Sequence, residues 1–252
     1  SGTIQGAFEV KFPEHRRKLK NKSHFLCPWV EDIVRNERIP NIYDDLIRPN
    51  ILCYSVALRI NEPDGKTLAG WHQGDAYNPI KPILAIGAIA LSECSVSATC
   101  LSVIPRSHKG GTLSHEDTDN PDIILSRGQY ITEDFDKSNA VDIELKPGEI
   151  GIFYSEIIHG SRVHRGGDRR IMLLIEMMPT HVAARAHRDT SALVRGIDIF
   201  GNVDIDGSPK RELGPDELAA WHKATRETGK NVFSDSPLPL TEVYGGTVSV
   251  NR

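Results

Sequence analysis

Between Ile51 and Met178 the chain breaks into short β-rich runs separated by clusters of Gly, Pro, Asp and Ser. Runs of this length and punctuation pair as strands rather than persist as helices. The strand candidates are Ile51–Ile60, Pro82–Ser92, Cys100–Ile104, Ala140–Leu145, Ile150–Tyr154 and Arg170–Met178, and Glu62-Pro-Asp-Gly65 is a turn signal after the first. Helical periodicity is confined to the two ends. Val30, Ile33 and Val34, then Ile42, Leu46 and Ile47, recur at i, i+3, i+4 and predict two short amphipathic helices interrupted at Pro40. Gly214 to Thr225 predicts another, with Pro215 in its first turn and Asp216 and Glu217 on its positive dipole end. The expected architecture is mainly β with flanking helices, an antiparallel sandwich or barrel. With no internal repeat, linker or second core, one domain is expected over residues 1–252, its core at about 51–179.

Composition narrows the classes of function. The longest apolar run, Ile83 to Leu91, is nine residues, far short of the ~20 that a membrane-spanning helix needs. A net charge of −4 gives no overall basic field for a nucleic acid polymer. The basic segment Lys11 to Lys22 lacks an apolar face and is expected to be a solvated arm. Cys27, Cys53, Cys94 and Cys100 form no C-x-x-C pair and are expected to be reduced and buried. Ser1-Gly2-Thr3 has the look of a tag-cleavage scar rather than a secretory signal, so the expectation is a cytoplasmic protein.

Ten histidines are present, and two of them sit in words that carry chemistry. His72 lies in Trp71-His-Gln-Gly-Asp-Ala-Tyr77, and His159 in Glu156-Ile-Ile-His-Gly-Ser161. Between and after them come Leu101-Ser-Val-Ile-Pro-Arg-Ser-His-Lys-Gly-Gly111, Leu145-Lys-Pro-Gly-Glu149 and Arg169-Arg170. In kind and order these words resemble the phytanoyl-CoA dioxygenase family of iron(II)/2-oxoglutarate oxygenases, across roughly Ile51 to Pro179. The resemblance implies a double-stranded β-helix (jelly roll, cupin-like) whose mouth holds one iron. It implies His72 and His159 as metal ligands, in a site where two imidazoles and one carboxylate leave room for 2-oxoglutarate and O₂. Arg170, eleven residues after His159, is the implied partner of the 2-oxoglutarate carboxylate, through the planar fork of its guanidinium. Arg169 is the alternative, because strand alternation lets only one of the two face inward, and Ser161 is the implied assistant. Trp71 and Tyr77 are expected to form walls, Tyr77 also being a candidate substrate contact.

The departure from the family is at the carboxylate. Matching Trp71-His-Gln and Tyr77 without gaps places Gly74 where the family has Asp. Asp75 follows, and in extended backbone it would point away from His72, unless a bulge re-aims it. In iron/2-oxoglutarate halogenases, to which the word His-x-Gly is similar, the vacated position accepts chloride. The implied reaction is oxidative decarboxylation of 2-oxoglutarate coupled to chlorination of an unactivated C–H. A hydroxylase using Asp75, or an iron-free binding module, are the alternatives. For the substrate, residues 180–252 are expected to cover the pocket. Within them His181, His187, Arg185, Arg188 and Arg195, together with Arg106, His108 and Lys109 of the motif loop, are either solvated or an anion site. The second option points to a phosphorylated small molecule, in likeness to nucleotide halogenases acting on 2′-deoxyadenosine monophosphate. A free amino acid, an alkaloid-like metabolite or a substrate tethered to a carrier protein stay open.

Overall fold

The computed structural model describes residues 13–77, 80–81, 84–184, 186–244 and 246. Residues 1–3, the first two of the expected Pro82–Ser92 strand, Arg185 and most of the tail beyond Tyr244 lie outside the described residues. Two antiparallel sheets face each other across a cavity. One has six strands in the order β14-β13-β1-β11-β4-β9, the last pair at its β14 edge being parallel. Its centre is β1 (Ile51–Asn61), β11 (Arg170–Pro179) and β4 (Ala85–Ala90), with β9 (Ile150–Tyr154) and β13 (Thr190–Arg195) outside them and β14 (Asp204–Ile205) at the edge. The other runs β2-β10-β5-β8: Ala69–His72, His159–Ser161, Leu101–Val103 and Val141–Ile143. Two small pairs complete the fold, β3 (Ile80–Lys81) with β12 (Ala183–Ala184) and β6 (His115–Glu116) with β7 (Tyr130–Ile131). This is the expected mainly β, jelly-roll architecture.

Alternation along β11 sorts its side chains between two environments. Ile171, Leu173, Ile175 and Met177 face outward into the largest apolar core, where Val56 and Leu58 of β1 join them. Helices α1 (Pro28–Arg35), α2 (Arg38–Ile47) and α3 (Pro215–Val232) cover that face through Val30, Val34, Tyr43, Ile47, Trp221 and Ala224. Fully burying each such aliphatic side chain contributes about 1.5–3 kcal/mol. Gly87 of β4 is required by one close approach: a Cβ there would lie 2.2 Å from the Tyr43 hydroxyl, which donates to the Ile175 carbonyl. Arg170, Met172, Leu174 and Glu176 face the other way, into the cavity.

Three expectations about elements need correction. Pro40 does not interrupt a helix. It sits in the first turn of α2, where its missing N–H costs no intrahelical bond, and the break falls at Asn36–Glu37. The segment ending at Lys22 is not a solvated arm. Residues Pro13–Lys20 form a 3₁₀ helix that buries Leu19, and Lys22 is fully buried, its Nζ donating to the Tyr54 and Thr190 carbonyls at 2.7 and 2.9 Å. Finally, strand β2 ends at His72, and Gly74–Ala76 is a 3₁₀ turn rather than extended chain. Among the described residues, no helix is long and apolar enough to cross a membrane. All four cysteines are free and buried.

Candidate active site

His72 closes β2 and His159 opens β10, and the two are direct partners in the ladder between these strands. Side chains paired across an antiparallel ladder share a face, so the imidazoles meet, with ring centroids 4.1 Å apart. Each Nδ1 lies 2.8 Å from a backbone carbonyl two residues earlier, Gly70 for His72 and Ile157 for His159. A carbonyl only accepts, so each Nδ1 carries the proton and each Nε2 keeps its lone pair. That is the tautomer and orientation of a metal-binding imidazole. Burial, reinforced by the neighbouring His159, holds His72 well below the usual imidazole range, and burial lowers His159 to about 4. Both rings are neutral at pH 7.

The cavity they line also holds Arg170, Ser161, Gly74, Tyr77, Leu101, Phe153 and Met172. Arg170 is 2% exposed, donates from Nη1 to the Thr99 carbonyl, and leaves Nε without a partner among the described residues. Burial lowers its pKa, and among the described residues no carboxylate stands beside it to offset that. A buried guanidinium without an anion is costly, and this one has the shape and charge to bind a carboxylate ligand. The strand's alternation decides between the two arginines: Arg169 points outward and pairs with Glu62 at 2.9 Å, which corrects its placement as a candidate.

The third corner is built from backbone. The Gly74 N–H donates to the Ser155 carbonyl at 2.7 Å, and a Cβ on Gly74 would fall 3.3 Å from that oxygen and from the Ser155 Cβ. Asp75 is buried but outside the cavity lining, where its carboxylate accepts from the Thr112 hydroxyl. The 3₁₀ turn, not strand alternation, puts it there. Among the described residues no three His, Cys, Asp or Glu side chains gather in a metal-binding group. A third histidine, His115, lies near the pair, but its Nε2 accepts the Gln73 N–H at 3.0 Å and its Nδ1 faces the Leu113 carbonyl. Gln73 itself is fully buried and ties β2 to the motif loop, bonding Gly111, Leu113 and Glu156. Two neutral imidazoles with Nε2 lone pairs and a buried guanidinium fit an iron with 2-oxoglutarate; among the described residues no protein carboxylate completes the set.

Tyr77 lines the cavity, its ring 6.2 Å from that of His72, whereas Trp71 packs edge-on against Phe135 at 5.9 Å. Of the two readings open for the basic residues, the solvated one describes them: among the described residues they gather in no common site. Arg188 is exposed and committed to Asp204, Gly201 and Val203. Arg195 reaches Asn41 and Asp44 on α2. Arg106, His108 and Lys109 are exposed in the motif loop, and His181 and His187 are exposed too. Arg188 and Arg195 are therefore corrected as pocket residues. The polar lining of the cavity includes instead Asn21, Tyr54, Ser55, Arg59, Glu176, Thr228 and Tyr244. Glu176 had a signal in the sequence, a lone charge in an apolar strand at the same parity as Arg170.

Comparison with known proteins agrees with this frame. The model of the family described as phytanoyl-CoA dioxygenase matches residues 4–172. A probable phytanoyl-CoA dioxygenase of Caenorhabditis elegans is 27% identical over 184 residues, which cover 62% of this chain and 59% of that protein. The chain thus spans about three fifths of that relative's length. Among solved structures, the apo form of the non-heme monooxygenase ThoJ superposes with a TM-score of 0.79 at 23% identity, covering 90% of this chain and 85% of that one. CytC3 with Fe(II) and alpha-ketoglutarate superposes at 0.59 and 19% identity, covering 79% and 77%. These likenesses show the jelly-roll fold, and the matched model covers more than half the sequence: the chain belongs to the phytanoyl-CoA dioxygenase family.

Proposed function

We propose that the protein is an iron(II)/2-oxoglutarate-dependent halogenase that chlorinates an unactivated C–H of a small molecule. The observation that carries the reading is the pairing of His72 and His159 in one cavity with Arg170 and without a carboxylate at Gly74. His72 and His159 would hold the iron through Nε2, and Arg170, with Ser161 beside it in the lining, would hold the distal carboxylate of 2-oxoglutarate. When bound, iron and 2-oxoglutarate supply oxidising power towards a C–H bond, at the expense of O₂ and with release of succinate and CO₂. The chain's own part is threefold. It keeps both imidazoles neutral and oriented, it presents backbone rather than an anion at the third corner, and it excludes water with Phe153, Leu101, Met172 and Leu174. Phe153 packs on His159 at 4.8 Å between ring centroids. A small anion such as chloride would restore the negative charge that Gly74 does not bring. The structures of CytC3 with Fe(II) and alpha-ketoglutarate and of EvdO2 with 2-oxoglutarate, on the same fold, support the cofactor pair.

One observation favours a second reading, a hydroxylase. Asp75 is a buried carboxylate within the same 3₁₀ turn as Gly74, three residues from His72, and accepts from Thr112 on an exposed stretch of loop. Products formed with chloride, with bromide and without halide separate the two. The halogenase gives chlorinated, brominated and then little product. A product carrying only oxygen at saturating chloride would refute it.

A further inference from the structure

Beyond Arg170, the last residue of β11 to line the cavity is Glu176, six residues on. At about 3.4 Å per residue the two lie roughly 20 Å apart along the strand, at opposite ends of the cavity. Glu176 is anomalous there. It accepts no hydrogen bond among the described residues, and the charges that act on it, Arg59 and Lys22, stand beyond ion-pair distance. Lys22 is spent on two carbonyls and lies over the Tyr54 ring at 4.8 Å. Burial raises the Glu176 pKa, the cost that an unpaired carboxylate carries.

Two donor residues, Asn21 and Arg59, line the same cavity. Asn21 is 4% exposed, its Oδ1 accepts from the Ser55 hydroxyl at 3.0 Å, and its Nδ2 has no partner among the described residues. Its carbonyl is held by the Trp221 indole N–H at 2.8 Å, so this donor is preorganised. Ser55 is the register partner of Glu176, next to a bulge at Tyr54 that turns both residues towards the cavity. Arg59, four residues along β1, gives Nη1 to the Lys20 carbonyl at 2.8 Å and its charge acts on both His72 and Glu176. Among the described residues the cavity therefore offers an unpaired acceptor anion in Glu176, an unpaired neutral donor in the Asn21 Nδ2, and a cation, Arg59, whose contact with the Lys20 carbonyl uses Nη1 and leaves its other N–H groups to a ligand.

We infer that the substrate is a small zwitterion, its ammonium group on Glu176 and its carboxylate on Arg59 and Asn21. This rests on reading the cavity as the site of oxidation. A phosphomonoester fits poorly, because Glu176 would oppose its charge and the expected phosphate-binding arginines lie elsewhere.

The test is calorimetric titration of the anaerobic iron- and 2-oxoglutarate-loaded protein. The probes are the proteinogenic L-amino acids, their N-acetyl and carboxamide forms, and 2′-deoxyadenosine monophosphate. At least one free zwitterion should bind, and either modification should weaken it by about tenfold to a hundredfold, the value of a charged hydrogen bond. Glu176→Gln should abolish the penalty of N-acetylation, and Arg59→Met that of amidation, with circular dichroism confirming the fold. If Glu176→Gln fails to fold, Glu176→Asp replaces it and should retain a weakened preference for the free amine. No binding across the zwitterions, tighter binding of the nucleotide, or an acetylation penalty unchanged in Glu176→Gln would overturn the inference. Calorimetry reads binding without turnover. A wild-type product bearing oxygen would therefore sink the halogenase reading and leave this one standing.

Discussion

Arg170→Met tests what the buried guanidinium is for. Removing it from the protein alone takes away a buried charge that, among the described residues, donates to the Thr99 carbonyl and leaves Nε without a partner. Replacing such a charge by an apolar side chain of similar length is close to neutral or stabilising. The loss should appear only when ligand is added. Two charge-assisted hydrogen bonds at about 1.5 kcal/mol or more each correspond to a rise in the 2-oxoglutarate dissociation constant of at least a hundredfold. At 2-oxoglutarate one hundred times its wild-type dissociation constant, ligand linkage stabilises the wild type by about 2.7 kcal/mol. For a chain of this size that is a rise in Tm of roughly 5–10 °C, and Arg170→Met should show under about 2 °C. Arg169→Met loses one partly exposed ion pair with Glu62, worth about 1 kcal/mol at most, and should keep the full ligand-induced rise. Thermal unfolding of the three metal-loaded proteins, with and without 2-oxoglutarate, is the assay. An undiminished rise in Arg170→Met, or its loss in Arg169→Met, would refute the assignment.

Other expectations follow from the same geometry. His72→Ala and His159→Ala should each weaken iron binding by more than the 10–100-fold typical of losing an outer-shell partner, read by metal content after dialysis, with far-UV circular dichroism unchanged. The metal-free protein should lose stability as pH falls from 6.5 towards 4. Over that window the unfolded chain protonates His159 while the folded chain, with its pKa near 4, does not; the difference is about 3 kcal/mol from this residue alone. Denaturant titrations across the range should flatten in His159→Ala. Gly74→Asp should abolish chlorination, whereas Gly74→Ala should retain part of it. Both must displace Ser155 by a few tenths of an ångström, so only the carboxylate distinguishes them. Asp75→Asn should leave iron content unchanged, because the side chain is bound to Thr112 outside the cavity lining.

The sheet that carries the site was largely legible in the sequence because its central strands are long and apolar on their outer face. β1, β4, β9 and β11 lie close to their expected spans. The strands that hold the histidines were not legible. β2 and β10 have four and three residues and owe their pairing to each other rather than to local propensity. Motif words located His72, His159 and Arg170, and parity along β11 settled Arg170 over Arg169. The substrate end was misread for a physical reason. Charges clustered in sequence at Arg188 and Arg195 are satisfied by nearby surface groups. The charges that line the cavity, Glu176 without a partner and Arg59 bonded only to a backbone carbonyl among the described residues, are isolated in apolar strands and turned inward by alternation. The Gly74–Ala76 turn shows the same limit, since a single 3₁₀ turn after a strand leaves no periodic trace.

In the proposed reaction a halide ion takes the place of a protein carboxylate on the iron that His72 and His159 would hold. X-ray absorption at the iron edge of the anaerobic iron- and 2-oxoglutarate-loaded protein tests it without knowledge of the substrate. With bromide in place of chloride, a heavy scatterer should appear in the first coordination shell, and Gly74→Asp should remove it. A first shell of nitrogen and oxygen alone, unchanged by bromide and losing one oxygen in Asp75→Ala, would rule out a halide at that position and assign it to Asp75.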